Sequence, residues 1–419
     1  MDYLPTIAFA NQMDEQDVLS NFKSMFHFPQ HNGQDVIYFC GNSLGLQPRA
    51  AAAAIETELA RWRSMAIGGY FGGTHPWLTF HETCTPALAK WVGATSNEVT
   101  VMNALTVNLH LMMLSFYRPS ATRYKIIMEA GAFPSDQYAI ETQVKHYGFA
   151  PEDAIIEVIP RDGEKLLHQA DILEAIEQAG ESLALCMFSG MNYYTGQLFP
   201  MEKITQTAHA VGAHVGFDLA HVVGNVPIRL HDWDVDFAVW CSYKYLNGGP
   251  GAVAGVFVHE KHASQPATPR LGGWWGNDEK TRFKMEKGFI PKPDAAGWCM
   301  STSQVFNTVC LKASLELLDK ATPVALRTKS IALTGYLEYL LGFCTHLDFE
   351  IITPAVPEER GAQLSLYFRE KGRAIHDAMI ENGIIVDYRE PGVIRVAPAP
   401  AYCSFKDVFT FYTILKEKF

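Results

Sequence analysis

Nothing in this 419-residue sequence approaches the roughly 18–20 consecutive apolar residues that a membrane helix needs. It also has no Lys/Arg-rich run, and its formal net charge is -11. A protein that grips a phosphate backbone needs the opposite balance. The expected partner is therefore a small molecule, with no nucleic acid and no membrane. Residues 1–17 carry only Asp and Glu as charged side chains. A basic region leading into an apolar one is missing there, so a secretory signal is not expected. There is no C-x-x-C motif: the eight cysteines, Cys40, Cys84, Cys186, Cys241, Cys299, Cys310, Cys344 and Cys403, are scattered, mostly through apolar runs. They are expected to be reduced core residues, without a metal-binding set. Together these absences point to a soluble, cytoplasmic protein.

What is present is a globular composition, 48% hydrophobic and 19% charged, in a chain long enough for two or three domains. From Tyr124 onward, apolar runs of strand length at Lys125–Glu129, Ile155–Ile159, Leu183–Phe188 and His214–Asp218 alternate with helical patterns at Ser135–His146, Ile172–Gln178 and Ile204–Val211. This alternation predicts an α/β fold with a mostly parallel sheet flanked by helices. The runs Phe237–Cys241 and Ala252–His259 are joined too closely for a crossover helix and are predicted to pair antiparallel. Pro48 followed by Ala50–Ala54 predicts a helix start with the proline near its first position. Gly68–Gly73 is too glycine-rich for a helix and too aromatic for a plain linker, as loops lining sites often are. Beyond Ser303–Asp319, a predicted long helix, the pattern is a smaller α+β C-terminal domain: helices at Pro323–Leu341 and Gly372–Asn382, strands at Phe349–Ile352, Gln363–Phe368 and Val393–Ala397. The expected division is an N-terminal segment 1–40 packing on the small domain, a large domain 41–305 and the small domain 306–419.

Chemistry concentrates where apolar strands end. Lys244 follows Phe237–Cys241 and Asp218 ends His214–Phe217. Both lie at carboxyl ends of strands, where open α/β sheets bind ligands. Desolvation disfavours the charged form of a lysine so placed and suits its amine to Schiff-base chemistry. A surface lysine at a strand end is the plain alternative. Asp218 needs a partner if buried; a protonated pyridine nitrogen would give a hydrogen bond of about 1.5–3 kcal/mol, whereas an exposed turn carboxylate would need none. Thr106, before the apolar run Val107–Phe116, is a candidate N-cap whose helix start could hold a phosphate or could be an ordinary cap. In Phe133-Pro134-Ser135-Asp136, Pro134 sets a turn and Phe133 could stack on a planar ring or serve as core. Arg395 alternates with Ile394 and Val396, which gives it its own face, either to clamp a carboxylate or to meet solvent. His259 and His262 lack a completing ligand set and are expected at the surface.

Eight stretches in chain order carry a resemblance: Phe39–Pro48, Asn103–Met113, Phe133–Asp136, Asn192–Gln197, Gly216–Gly224, Trp240–Gly251, Arg282–Met285 and Gly392–Pro398. Together they resemble the kynureninases, members of the fold type I family of pyridoxal 5'-phosphate (PLP) enzymes that also contains aspartate aminotransferase and cysteine desulfurase. The resemblance implies a PLP-dependent hydrolase that cleaves the Cβ–Cγ bond of L-kynurenine, and of 3-hydroxy-L-kynurenine, in tryptophan degradation and NAD-related metabolism. Lys244 would carry the cofactor and Tyr243 would bind its phosphate and move a proton. Asp218 would pair with the ring nitrogen, with His221 close by. Leu105 and Thr106 would hold phosphate, Phe133 would stack on the ring, Pro134 would contact the cofactor, and Ser135, Asp136 and Ser189 would complete the pocket. Trp274 and Thr302 would reach the phosphate region across a homodimer interface. Arg395, with Ser43 and Tyr70, would bind substrate. Relatives that prefer the 3-hydroxy substrate carry histidine where Tyr70 aligns and asparagine where Thr302 aligns, so unhydroxylated kynurenine is the expected preference. The competing readings are a cysteine desulfurase, for which Cys403 is the least implausible nucleophile, a transaminase, or a binding protein on a dead PLP scaffold; the last would normally have lost Lys244 or Asp218.

Overall fold

A computed structural model describes residues 2–419. Its centre is a seven-stranded sheet made of β1 (Val99–Met102), β2 (Lys125–Glu129), β3 (Ile155–Val158), β4 (Leu183–Ser189), β5 (His214–Asp218), β6 (Phe237–Trp240) and β7 (Ala254–Val258). The order across the sheet is β1-β7-β6-β5-β4-β2-β3. β2 to β6 run parallel, and β7 lies antiparallel to both β6 and β1. The short β6–β7 connection thus does what its length requires. Every residue of β1, β6 and β7 is buried, as expected of strands covered on both faces. β1 was not legible beforehand, since four buried residues leave no alternation to read.

The covering helices include α2 (Ala50–Met65), α3 (Leu105–Phe116), α4 (Pro134–His146), α5 (Gln169–Ala179) and α6 (Met201–Ala210); α1 (Ile7–Gln16) lies elsewhere. Two predicted helix starts shift. Pro48 sits in a two-residue bridge with Phe26–His27, Arg49 is the N-cap, and α2 begins at Ala50. The N-cap of α3 is Ala104, so Thr106 falls at the second helical position, its hydroxyl bonded to Ser135 Oγ at 2.7 Å.

Beyond α7 (Val305–Ala321), which packs along α2 through Phe306 and Trp62, comes α8 (Pro323–Leu341). The antiparallel strands β8 (Phe349–Ile351), β9 (Leu364–Phe368), β10 (Asp387–Arg389) and β11 (Val393–Val396) form a second sheet ordered β8-β9-β11-β10. Helices α9 (Gly372–Glu381) and α10 (Phe405–Lys418) complete this part of the chain. The N-terminal segment packs here. Asp14 accepts the N–H groups of Phe405 and Lys406, Lys23 pairs with Asp407 at 2.8 Å, and Ile37–Tyr38 pairs parallel with Ile384–Ile385. Among the described residues no helix is long and apolar enough to cross a membrane. All eight cysteines are unpaired, and all but Cys310 are buried.

Candidate active site

The carboxyl ends of β2, β4, β5 and β6 open into one cavity, lined by Leu105, Thr106, Phe133, Ser135, Asp136, Ser189, Met191, Tyr193, Asp218, Ala220, His221, Tyr243 and Lys244. Parallel strands arrive there in register: Asp218 lies opposite Ser189 on one side and Val239 on the other. The lysine stands four residues past the end of β6, after Cys241-Ser242-Tyr243. Its half-buried Nζ lies 3.0 Å from His221 Nε2 and 5.9 Å from the centres of the Phe133 and Tyr243 rings. Burial, reinforced by the positive charges of Lys244, Arg395 and Arg389, pushes the His221 pKa well below its usual range. His221 is therefore a neutral imidazole beside the amine.

The backbone holding Lys244 is fixed from the N-terminal side. Gly45 donates its N–H to Tyr243 O at 2.7 Å. A Cβ on Gly45 would stand 2.1 Å from Asn247 Oδ1 and 2.4 Å from Lys244 O, so only glycine allows this approach.

Opposite the lysine are buried carboxyl groups. Asp218 Oδ1 accepts the Ala220 N–H at 2.7 Å. Asp136 shares a hydrogen bond with Asp218; burial first, and then the Asp218 charge, raise Asp136 well above the usual carboxylate range. Asp136 is therefore the protonated partner and Asp218 the carboxylate, its pKa raised by burial and held down by Lys244. Asp136 Oδ1 finds no hydrogen-bond partner within the described residues.

The donor set fits a phosphorylated pyridine. The first N–H groups of α3, at Leu105 and Thr106, have no helical acceptor, and the Thr106 and Ser135 hydroxyls meet beside them, which suits a phosphate. A buried carboxylate faces the cavity for a ring nitrogen, and an amine for an aldehyde. Phe133 is 42% exposed and lines the cavity, so it is no core residue. Pro134 opens α4 and contributes no lining of its own.

Arg395 is 1% exposed, which rules out the solvent-facing alternative. Its Nη1 donates to Tyr193 O at 2.8 Å and its Nη2 to Ser43 Oγ at 3.0 Å, and it pairs with the Asp387 carboxylate. Ser43 Oγ donates to the same Asp387 Oδ2 at 2.9 Å. Burial lowers the Arg395 pKa to about 10, which leaves it charged at neutral pH; its Nε has no partner within the described residues. Tyr193, whose ring meets Phe133 edge-on at 5.1 Å, joins this arginine to the cavity.

Tyr70, Trp274 and Thr302 do not line the cavity within this chain. Thr302 Oγ1 donates to the Tyr70 hydroxyl at 3.4 Å, and the Trp274 indole N–H donates to Arg282 O at 2.9 Å. Tyr70 is half-buried against Trp77 and Trp275, whereas Trp274 and Thr302 are exposed, as are the apolar side chains of Trp62, Ile67, Phe71, Phe283 and Met285.

Sequence reading missed Met191, Tyr193, Glu129 and Asp387. Glu129 carried the same signal as Asp218, an ionisable residue ending an apolar strand; Tyr193 lay within a matched stretch. His259 and His262 also depart from expectation, for the first is buried and the second half-buried. At the opposite end of the sheet His262 Nε2 meets Asp236 Oδ1 at 2.7 Å and His209 Nε2 meets Oδ2 at 2.9 Å. Lys261 Nζ and the Val215 N–H complete that carboxylate.

Residues 326–415 match the family model of the kynureninase C-terminal domain. The chain is 49% identical over 404 residues to the kynureninase of Koribacter versatilis, covering 96% of this chain and 95% of that one. To the kynureninase of Myxococcus xanthus it is 51% identical over 410 residues, covering 98% and 96%. Among solved structures, an apo cysteine desulfurase from Thermococcus onnurineus superposes with a TM-score of 0.75 at 17% identity, over 91% of this chain and 94% of that one. That likeness establishes the fold, the fold type I architecture of PLP-dependent enzymes. Identity near one half along the whole length carries more, and by it this chain belongs to the kynureninase family.

Proposed function

We propose that this chain is a PLP-dependent hydrolase that cleaves the Cβ–Cγ bond of L-kynurenine to give anthranilate and L-alanine. The observation that carries the reading is the single cavity where Lys244, the Asp218 carboxylate and the free N–H groups of α3 face one another, with Arg395 alongside. Lys244 would anchor the cofactor, Asp218 would hold its ring nitrogen, and Leu105, Thr106 and Ser135 its phosphate. Bound there, PLP supplies an electron sink for the pair left at Cα when its proton departs.

The chain's own residues do the rest. Arg395 turns its guanidinium from Asp387 to the substrate α-carboxylate, a bidentate partner of better geometry. Phe133 covers one face of the site and limits water there. Lys244 Nζ takes the Cα proton, and neutral His221 at 3.0 Å is the group with which it exchanges a hydrogen bond. Burial raises the Tyr243 pKa, so its phenol keeps its proton at neutral pH. Tyr243 is accordingly the acid that protonates the γ-carbonyl oxygen as water adds, and Tyr243→Phe is expected to slow turnover about 100-fold at matched cofactor loading.

The exposed apolar surface supports a homodimer in which Trp274 and Thr302 complete the partner's phosphate region and Tyr70 meets substrate. Contacts of the N-terminal segment with α8 and α10 support the division into 1–40, 41–305 and 306–419, and the eight unpaired cysteines support a cytoplasmic location. A desulfurase reading is disfavoured by Cys403, which is buried, donates to Tyr38 O at 3.2 Å and has its thiol pKa raised by burial. The test is to supply both L-kynurenine and 3-hydroxy-L-kynurenine to the PLP-loaded protein. Equal amounts of anthranilate and alanine, with the higher kcat/KM for kynurenine, are expected; a clear advantage for the 3-hydroxy compound would overturn the assigned preference.

A further inference from the structure

Behind the cavity wall lies an acid that the mechanism leaves unused. Glu129 ends β2, is 1% exposed, and does not line the cavity. Ser189 ends the neighbouring strand β4 and does line it. The Ser189 N–H donates to Glu129 Oε1 and Oε2 at 3.3 and 3.2 Å, and Ser189 Oγ is hydrogen-bonded to Oε1. Glu129 can reach a bound molecule only through that serine.

Its protonation state decides what the serine offers. An ionised Glu129 would take the Ser189 hydroxyl hydrogen and leave only oxygen lone pairs facing the cavity. A neutral Glu129 gives its own hydrogen to Ser189 Oγ, and the serine O–H is then free to point inward. The surroundings shift the balance toward the neutral form, which is populated at and below neutral pH. Asp218, Asp136 and Glu129 are three buried carboxyl groups, with Lys244 the only cationic group among their neighbours that lines the cavity. Burial, with the Asp218 charge adding to it against the Ser189 bonds, pushes the Glu129 pKa up to about 7. The other ionisable neighbour, Cys186, is buried with its thiol pKa raised and adds no compensating charge.

We propose that Glu129 is a positioning residue of the cofactor cradle, a carboxylic acid that donates to Ser189 Oγ and thereby presents the Ser189 hydroxyl hydrogen to an acceptor oxygen of the bound cofactor. The proposal rests on the PLP reading of the cavity, and its test reads cofactor binding in place of turnover. PLP affinity is measured by titrating the visible absorbance of Glu129→Gln, Glu129→Leu, Ser189→Ala and the Leu/Ala double variant, from pH 6 to 8.5. Glutamine keeps both a donor and an acceptor, so Glu129→Gln is expected to bind within about threefold of the parent. It should also lose whatever pH dependence of the absorbance band the acid imposes. Glu129→Leu and Ser189→Ala are each expected to weaken PLP about tenfold, and the double variant no further, because one hydrogen bond is lost in all three. Additive losses in the double variant, or a glutamine variant as weak as the leucine one, would overturn the proposal while leaving the PLP reading intact. A parent protein that binds no PLP would overturn both.

Discussion

Arg395 shows how a buried charge is kept ready for a ligand. In the structure the Asp387 carboxylate and the Ser43 hydroxyl hold its Nη2, the Tyr193 carbonyl holds its Nη1, and Nε is free among the described residues. Asp387 thus occupies the position that a substrate carboxylate would contest. A lysine there would keep the charge and lose the planar fork. Arg395→Lys is expected to raise KM for kynurenine at least tenfold, roughly the 1.4 kcal/mol of one good charge-assisted bond, with a smaller effect on kcat. Steady-state kinetics check this, and an unchanged KM would remove Arg395 from carboxylate binding. Of the residues in this site, Lys244 and Asp218 were legible in sequence because each ends an apolar run where an ionisable group needs a reason to be. Asp387 and Tyr193 were not, because Asp387 meets Arg395 only through the register of β10 on β11, and Ser43 and Tyr193 reach the pair from distant positions in the chain.

At the scale of elements, the strands that carry the site are tied at their far ends as well. Asp236, just before β6, takes His209 from α6, is approached by His214 at the start of β5, and takes His262 and Lys261 from beyond β7. Burial alone would raise the Asp236 pKa, but the neighbouring His209, His214 and His262 and the Lys261 charge outweigh it and hold the carboxyl far below its usual range. A depressed folded-state pKa contributes stability that is present above the unfolded value of about 4 and is lost as pH falls below it. Asp236→Asn is expected to destabilise the fold by about 3 kcal/mol at pH 7, with the difference from the parent shrinking below pH 4. Denaturant melts at several pH values check the sign, and a gap that widens below pH 4 would contradict the network. The local pattern found His214–Asp218 and the β6–β7 pairing because the length of their apolar runs and the short connection between the last two fix them. It could not give the sheet order, and it misplaced the start of α3, where Thr106 bonds Ser135 and so behaves as part of the site.

At the scale of the molecule, Tyr70, Trp274 and Thr302 remain outside the cavity that the single chain builds, on a surface rich in exposed aromatic residues. A soluble monomer rarely leaves such a patch open. Sedimentation equilibrium is expected to find a dimer, and Trp274→Ala to weaken PLP binding without unfolding the chain; a monomer with full cofactor affinity would contradict the shared site. The overall architecture followed from strand-helix alternation, whereas contacts between copies leave no periodic trace in one sequence. The central claim is that Lys244, in the cavity described, carries a PLP-dependent cleavage of kynurenine. It is tested most directly by following anthranilate fluorescence after L-kynurenine is added to the PLP-loaded parent and to Lys244→Ala. The expected result is steady production by the parent and none by the variant; a parent that binds PLP but leaves kynurenine unchanged, or a variant that still turns it over, would contradict the account.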